Sequence, residues 1–140
     1  GAFLRQPAIW MLPVIFPLVM AFGGALGVLG LPLPFVEIGI ATSAIVLGLM
    51  VVSAARPPLW VAGVLVAAFA IFHGHAHGAE LPEASNPLSY AIGFVLATGL
   101  MHLVGIAFGM LTHTPRGTLV VRCAGAVISA AGCYFLAGAI

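Results

Sequence analysis

Runs of apolar residues alternate along this chain with short joints rich in Pro, Gly and the few charged residues. A helix crossing a bilayer needs about 20 mostly apolar residues. Five stretches reach that length, at about 7–30, 35–55, 57–77, 87–111 and 117–140. The joints are Leu31-Pro32-Leu33-Pro34, Arg56-Pro57-Pro58, a longer segment over 78–86 and a short one over 112–116. Strands of a membrane barrel would alternate apolar and polar positions, and no stretch does so. The pattern predicts an all-α protein: a polytopic transmembrane helix bundle of five spans, forming a single transmembrane domain over 1–140 with no length left for a soluble domain.

Composition makes the bilayer a requirement. Hydrophobic residues are 63% of the 140 and charged residues 5%, with a mean hydropathy of +1.26. A globular domain carries about a quarter charged residues, so this chain could not clothe itself in polar surface. The net charge is +1, without the clustered basic groups that a nucleic-acid partner demands. Cys123 and Cys133 lie about 15 Å apart on one helix, too far to bond to each other, and read as small apolar packing residues.

Charge placement gives an orientation. With alternating spans, Arg5, Arg56, Arg116 and Arg122 all fall on one side, which the positive-inside rule makes cytoplasmic. The other side carries Glu37, His73, His75, His77, Glu80 and Glu83. For a bacterium, the chain is expected in the cytoplasmic (inner) membrane with this His/Glu side periplasmic.

An ionisable residue near hydrocarbon is a functional candidate by default. The densest cluster is Phe72-His73-Gly74-His75-Ala76-His77-Gly78-Ala79-Glu80, at the outer end of the third span. If the helix persists, His73, His77 and Glu80 stand at i, i+4 and i+7 on one face. His75 points elsewhere unless the chain unwinds at Gly74 and Gly78. Imidazole with carboxylate suits nickel, cobalt, zinc or copper; a solvated His-rich loop or a surface pH sensor is the plainer alternative. Glu37 is the one acid inside a predicted span and shares a leaflet with His73. His102 lies about 22 Å along the fourth span from Pro87, too deep to share an ion with His73 along straight helices. The two could form successive stations, or His102 could simply bond to a helix carbonyl or to Thr98. His113, at the inner end, reads as interfacial. Pro13 and Pro17 free the carbonyls of Ile9 and Pro13 within the first span. The pairs Gly23/Gly27, Gly74/Gly78 and Gly105/Gly109 permit close approach of helix backbones.

The order Leu31-Pro32, Val36-Glu37, Phe72-His73-Gly74-His75-Ala76-His77-Gly78-Ala79-Glu80, Tyr90-Ala91, Gly93-Phe94, Ala97-Thr98 and His102 resembles the HupE/UreJ family over nearly the whole chain. Its members are hydrogenase- and urease-accessory membrane proteins regarded as nickel or cobalt permeases. The resemblance implies uptake of a divalent transition metal for metalloenzyme assembly, and it carries the family's His- and Glu-bearing stretch onto His73, His77 and Glu80 and its later helix His onto His102. Family members usually have a further N-terminal span with a His-Pro…Asp-His type motif, six spans in all. Here no His precedes His73 and there is no Asp, so that ligand set is missing from this sequence.

Three functions compete. In the first, a permease, His73, His75, His77 and Glu80 capture a divalent ion as substrate, Glu37 offsets its charge, and His102 gives a deeper station. A bare dication in hydrocarbon is prohibitive, so ligands must replace its water at each stage. No GxxxxGK[ST] nucleotide motif is present. A haem cytochrome is disfavoured by the depth mismatch of His73 and His102; neither haem nor nucleotide is expected. The third is a structural subunit packed by its Gly-rich faces against a larger membrane complex or an oligomer partner. No nucleophile–base pairing or cofactor fingerprint points to an enzyme.

Overall fold

The computed structural model describes residues 3, 4, 8–81 and 86–140, with the backbone alone at Pro87 and Leu88. Arg5 and Glu83, and Pro7 at the start of the first predicted span, lie outside the described residues. The chain folds into helices α1 (Ala8–Val28), α2 (Val36–Val52), α3 (Leu59–Ala79), α4 (Pro87–Met110) and α5 (Pro115–Ala139), with a 3₁₀ turn over Leu111–His113 between the last two. No strand occurs among the described residues. Four of the helices are long and apolar enough to cross a membrane, while α2 is an apolar helix of 17 residues. The protein is an all-α, multi-pass membrane bundle.

Local chemistry sets the helix ends. α1 runs unbroken through Pro13 and Pro17 and stops in a Schellman turn. Gly30 (φ 69°) takes the left-handed position, its N–H donates to Gly27 O, and Leu31 N–H donates to Leu26 O. Pro32 and Pro34 then prevent renewed helix. α2 ends earlier than its apolar run, by the same motif built on a residue ill suited to it. Ala54 takes φ 52°, with Ala54 N–H on Val51 O and Ala55 N–H on Met50 O. α5 opens on an N-cap: Thr114 Oγ1 accepts from Gly117 N–H at 3.1 Å, followed by Pro115 in the first turn.

The bundle is organised as two tight helix pairs. α1 and α3 run parallel with backbones nearly touching: Gly74 abuts the carbonyl of Met20, Gly78 that of Gly24, Gly23 that of Ile71, and Gly27 that of His75. α2 and α5 run antiparallel: Gly48 meets the Gly125 carbonyl and Ser129, and Gly132 meets Ile45 and the Ala41 carbonyl. Polar groups stitch this second pair, Ser129 Oγ donating to Ile45 O at 3.0 Å and Arg122 Nε to Val52 O at 2.6 Å. α2 and α3 join the pairs more loosely, and α4 touches mainly α1 and the 3₁₀ turn. Large apolar side chains point outward, as a lipid solvent permits; the most buried positions are small or medium, including Ala8, Leu12, Ala41, Ala62 and Ala70. No buried side-chain polar atom among the described residues lacks a hydrogen-bond partner.

Two sequence expectations fail. The Gly105/Gly109 pair does not form a tight interface, since a Cβ at Gly105 would meet nothing within 4 Å. Cys123 and Cys133 are unbonded, as their spacing required, but exposed rather than packed within the bundle. Periodicity cannot tell a lipid-facing position from a helix-facing one when both surroundings are apolar.

Gly74→Ala should lower stability by about 1–3 kcal/mol, because its Cβ would press on α1 backbone, whereas Gly99→Ala, which opens onto empty space, should not destabilise; thermal unfolding in nanodiscs compares them. By the same measurement Ala54→Gly should stabilise by about 1 kcal/mol, relieving the left-handed residue.

Candidate metal-binding site

α3 persists as helix through Ala79, so Gly74 and Gly78 serve packing and the histidine stretch does not unwind. With Gly74 flush on α1, the 100° turn per residue sends His73 and His75 to different sides. His75 Nε2 lies 2.8 Å from Leu31 O; a carbonyl only accepts, so Nε2–H donates and ties α3 to the joint after α1. His73 turns to the other side.

His73 and His102 are held alike. His73 Nδ1 donates to Phe69 O at 2.9 Å and His102 Nδ1 to Thr98 O at 2.7 Å. In a neutral imidazole with Nδ1 protonated, Nε2 keeps its lone pair and is a metal donor of fixed orientation. The bond from His102 to a helix carbonyl, foreseen as its plainer role, therefore also readies it as a ligand. Both rings neighbour Phe16 of α1, whose centroid is 6.1 Å from that of His73 and 5.5 Å from that of His102. The two imidazoles are thus at most about 12 Å apart, the sum of those distances.

Each imidazole borders its own cleft. His73 lines one of about 840 Å³ together with Glu37, Ser43 and Tyr134, between α2, α3 and α5. Glu37 is exposed, in the first turn of α2, where the helix dipole favours its negative charge. His102 lines a larger cleft of about 1250 Å³, with Phe16 and Pro13 at one part and Arg56, Thr112 and His113 at the Arg-bearing end. His113 is exposed, as an interfacial residue would be.

His77 is exposed, its ring centroid 4.9 Å from that of Phe94 on α4. Glu80 is exposed at the C-cap of α3. Among the described residues no three His, Cys, Asp or Glu side chains converge closely enough to hold an ion. The structure brings Glu37 and His73 to one cleft and sets His73 and His102 about Phe16, while His75 is engaged elsewhere. Phe16, Tyr90 and Phe94 are site neighbours that the search for ionisable residues passed over. A signal existed for the last two: Tyr90, Phe94, Thr98 and His102 recur every four residues and trace a slowly winding stripe along α4.

The fold and this arrangement define a multi-pass helical membrane protein with half-buried imidazoles on α3 and α4. The profile of the family described as "HupE / UreJ protein" matches residues 1–135. The chain is 43% identical over 135 residues, covering 96% of it and 71% of the relative, to "Protein HupE" of Rhizobium leguminosarum bv. viciae. No solved structure matches the chain. The chain belongs to the HupE/UreJ family.

With ¹⁵N-histidine-labelled protein in nanodiscs at neutral pH, His73 and His102 should give the spectrum of the Nδ1–H tautomer, and added nickel should shift or broaden Nε2 first. A dominant Nε2–H tautomer at both would remove their readiness as ligands.

Proposed function

We propose that this protein is a membrane permease for a divalent transition-metal ion, nickel or cobalt, supplying metalloenzyme assembly. One observation carries the reading: two imidazoles with Nε2 free neighbour Phe16, one opening to a cleft with Glu37 and the other to a cleft reaching the Arg-bearing end. Membership of the HupE/UreJ family supports it, through the permease role that the resemblance implies.

In this reading a hydrated ion arrives at the His/Glu end, where His77 and Glu80 are exposed and His73 and Glu37 share a cleft. Glu37 supplies negative charge against the dication, and His73 replaces one water with nitrogen. The ion then passes from His73 to His102, the two imidazoles that share Phe16 as a neighbour. His102 then hands the ion to the larger cleft, whose Arg56 and His113 mark the exit. Among the described residues no three His, Cys, Asp or Glu side chains converge on one point, so water completes the ion's shell. Such partial ligation suits a carrier, which must release what it binds. Arg56, Arg116 and Arg122 gather at the exit end, which the positive-inside rule assigns to the cytoplasm of a bacterial inner membrane.

Nickel uptake into cells or vesicles tests the route. His73→Ala, His77→Ala, His102→Ala and Glu37→Gln should each cut the initial rate at least about tenfold, the effect expected when a ligand or its orienting partner is lost, at unchanged protein level. Unchanged uptake in His73→Ala and His77→Ala would reject the site.

A further inference from the structure

We propose that Tyr90 and Phe94 of α4 are positioning residues that hold His77 ready for the incoming ion and thereby set the affinity of the entry step. The inference rests on the permease reading and deepens it, since neither aromatic ring can itself ligate through nitrogen.

His77 is the ligand candidate most in need of support. It sits two residues before the end of α3, exposed, where an imidazole is free to turn about both side-chain bonds. Among the described residues, the N–H groups that close the helix, those of Glu80 and Leu81, go to Ala76 O and Gly78 O. The carbonyl of His77 instead accepts the Tyr90 hydroxyl, at 3.4 Å. The ring meets Phe94 at 66°, centroids 4.9 Å apart, an edge-to-face arrangement that aromatic quadrupoles favour. Tyr90 stacks on Phe94 in turn, with centroids 6.2 Å apart and planes 14° from parallel. One helical turn separates these two residues, so a single face of α4 grips both the backbone and the ring of His77. Steps of four residues continue through Thr98 to His102, winding about 120° round the helix, so the entry clasp and the deeper station are carried on one rod.

The physical consequence is preorganisation. An ion binding a freely turning side chain must pay for its immobilisation, and a ring already held avoids that cost. Loss of the Phe94 ring should therefore weaken entry binding about fivefold, the factor that corresponds to one immobilised side chain, while leaving the maximal rate alone. A packing role alone would do the opposite, lowering the amount of folded protein and the maximal rate with no change in half-saturation.

The experiment uses histidine-labelled protein in nanodiscs titrated with nickel ion, together with nickel uptake kinetics in vesicles. Phe94→Leu should move the ring signals of His77 but not those of His113, raise the nickel dissociation constant and half-saturating concentration about fivefold, and preserve the maximal rate. Phe94→Tyr should restore parent affinity, and Tyr90→Phe, which keeps the stack but loses the hydroxyl, should fall between. Equal nickel affinity in parent and Phe94→Leu would overturn the positioning role and leave the permease reading standing. A parent protein that binds no nickel would overturn the permease reading itself, and this inference with it.

Discussion

The contact on which the rest depends is the meeting of two backbones, α1 and α3, at Gly23, Gly27, Gly74 and Gly78. In lipid there is no hydrophobic effect to press one apolar helix onto another, so close packing and the absence of side chains at the seam must do it. The seam fixes more than distance. With Gly74 and Gly78 against α1, the rotation of α3 about its axis is settled, and with it the direction of every histidine on that helix. His75 is sent to the Leu31 carbonyl, while His73 is sent to Phe16 and the cleft of Glu37. A side chain at Gly74 would disturb the site without touching it.

The second tight pair, α2 with α5, works by a different mixture. Small residues again allow approach, but Ser129 and Arg122 also donate across the seam to carbonyls of α2. Each pair is firm and the joints between pairs are slighter. One cleft is lined by α2 and α5 with His73 of α3, the other chiefly by α1, α2 and α4. The polar groups lie at the margins of two firm halves, and α3 stays helical through its histidines.

Much of this was legible before any coordinates. Five apolar runs became five helices within a few residues of their expected limits, because a bilayer allows little variety in what spans it. Whether α3 persists through Gly74 and Gly78 or unwinds there was left open by the sequence, but the use of those glycines for packing followed from their spacing. The early end of α2 did not, since Ala54 in a left-handed turn carries no warning in its identity. Nor did the α2–α5 seam, where Gly48, Gly125 and Gly132 are spread over two helices and form no pair within either. The one glycine pair chosen wrongly, Gly105/Gly109, looked as good as the others on paper.

By itself, then, the order of residues determined that the chain lives in a membrane, how often it turns, and how few of its side chains are ionisable. Those are consequences of hydrocarbon, which admits only internally bonded helices and makes every imidazole and carboxylate conspicuous. The tertiary structure decided which of those groups lie together: that Glu37 and His73 share a cleft, that Phe16 neighbours both His73 and His102, and that α4 lays the Phe94 ring on His77. A helix surrounded by apolar residues has no preferred face until another helix packs on it. Rotation about each axis is set by which backbones fit together, and that is a property of pairs of segments far apart in the sequence.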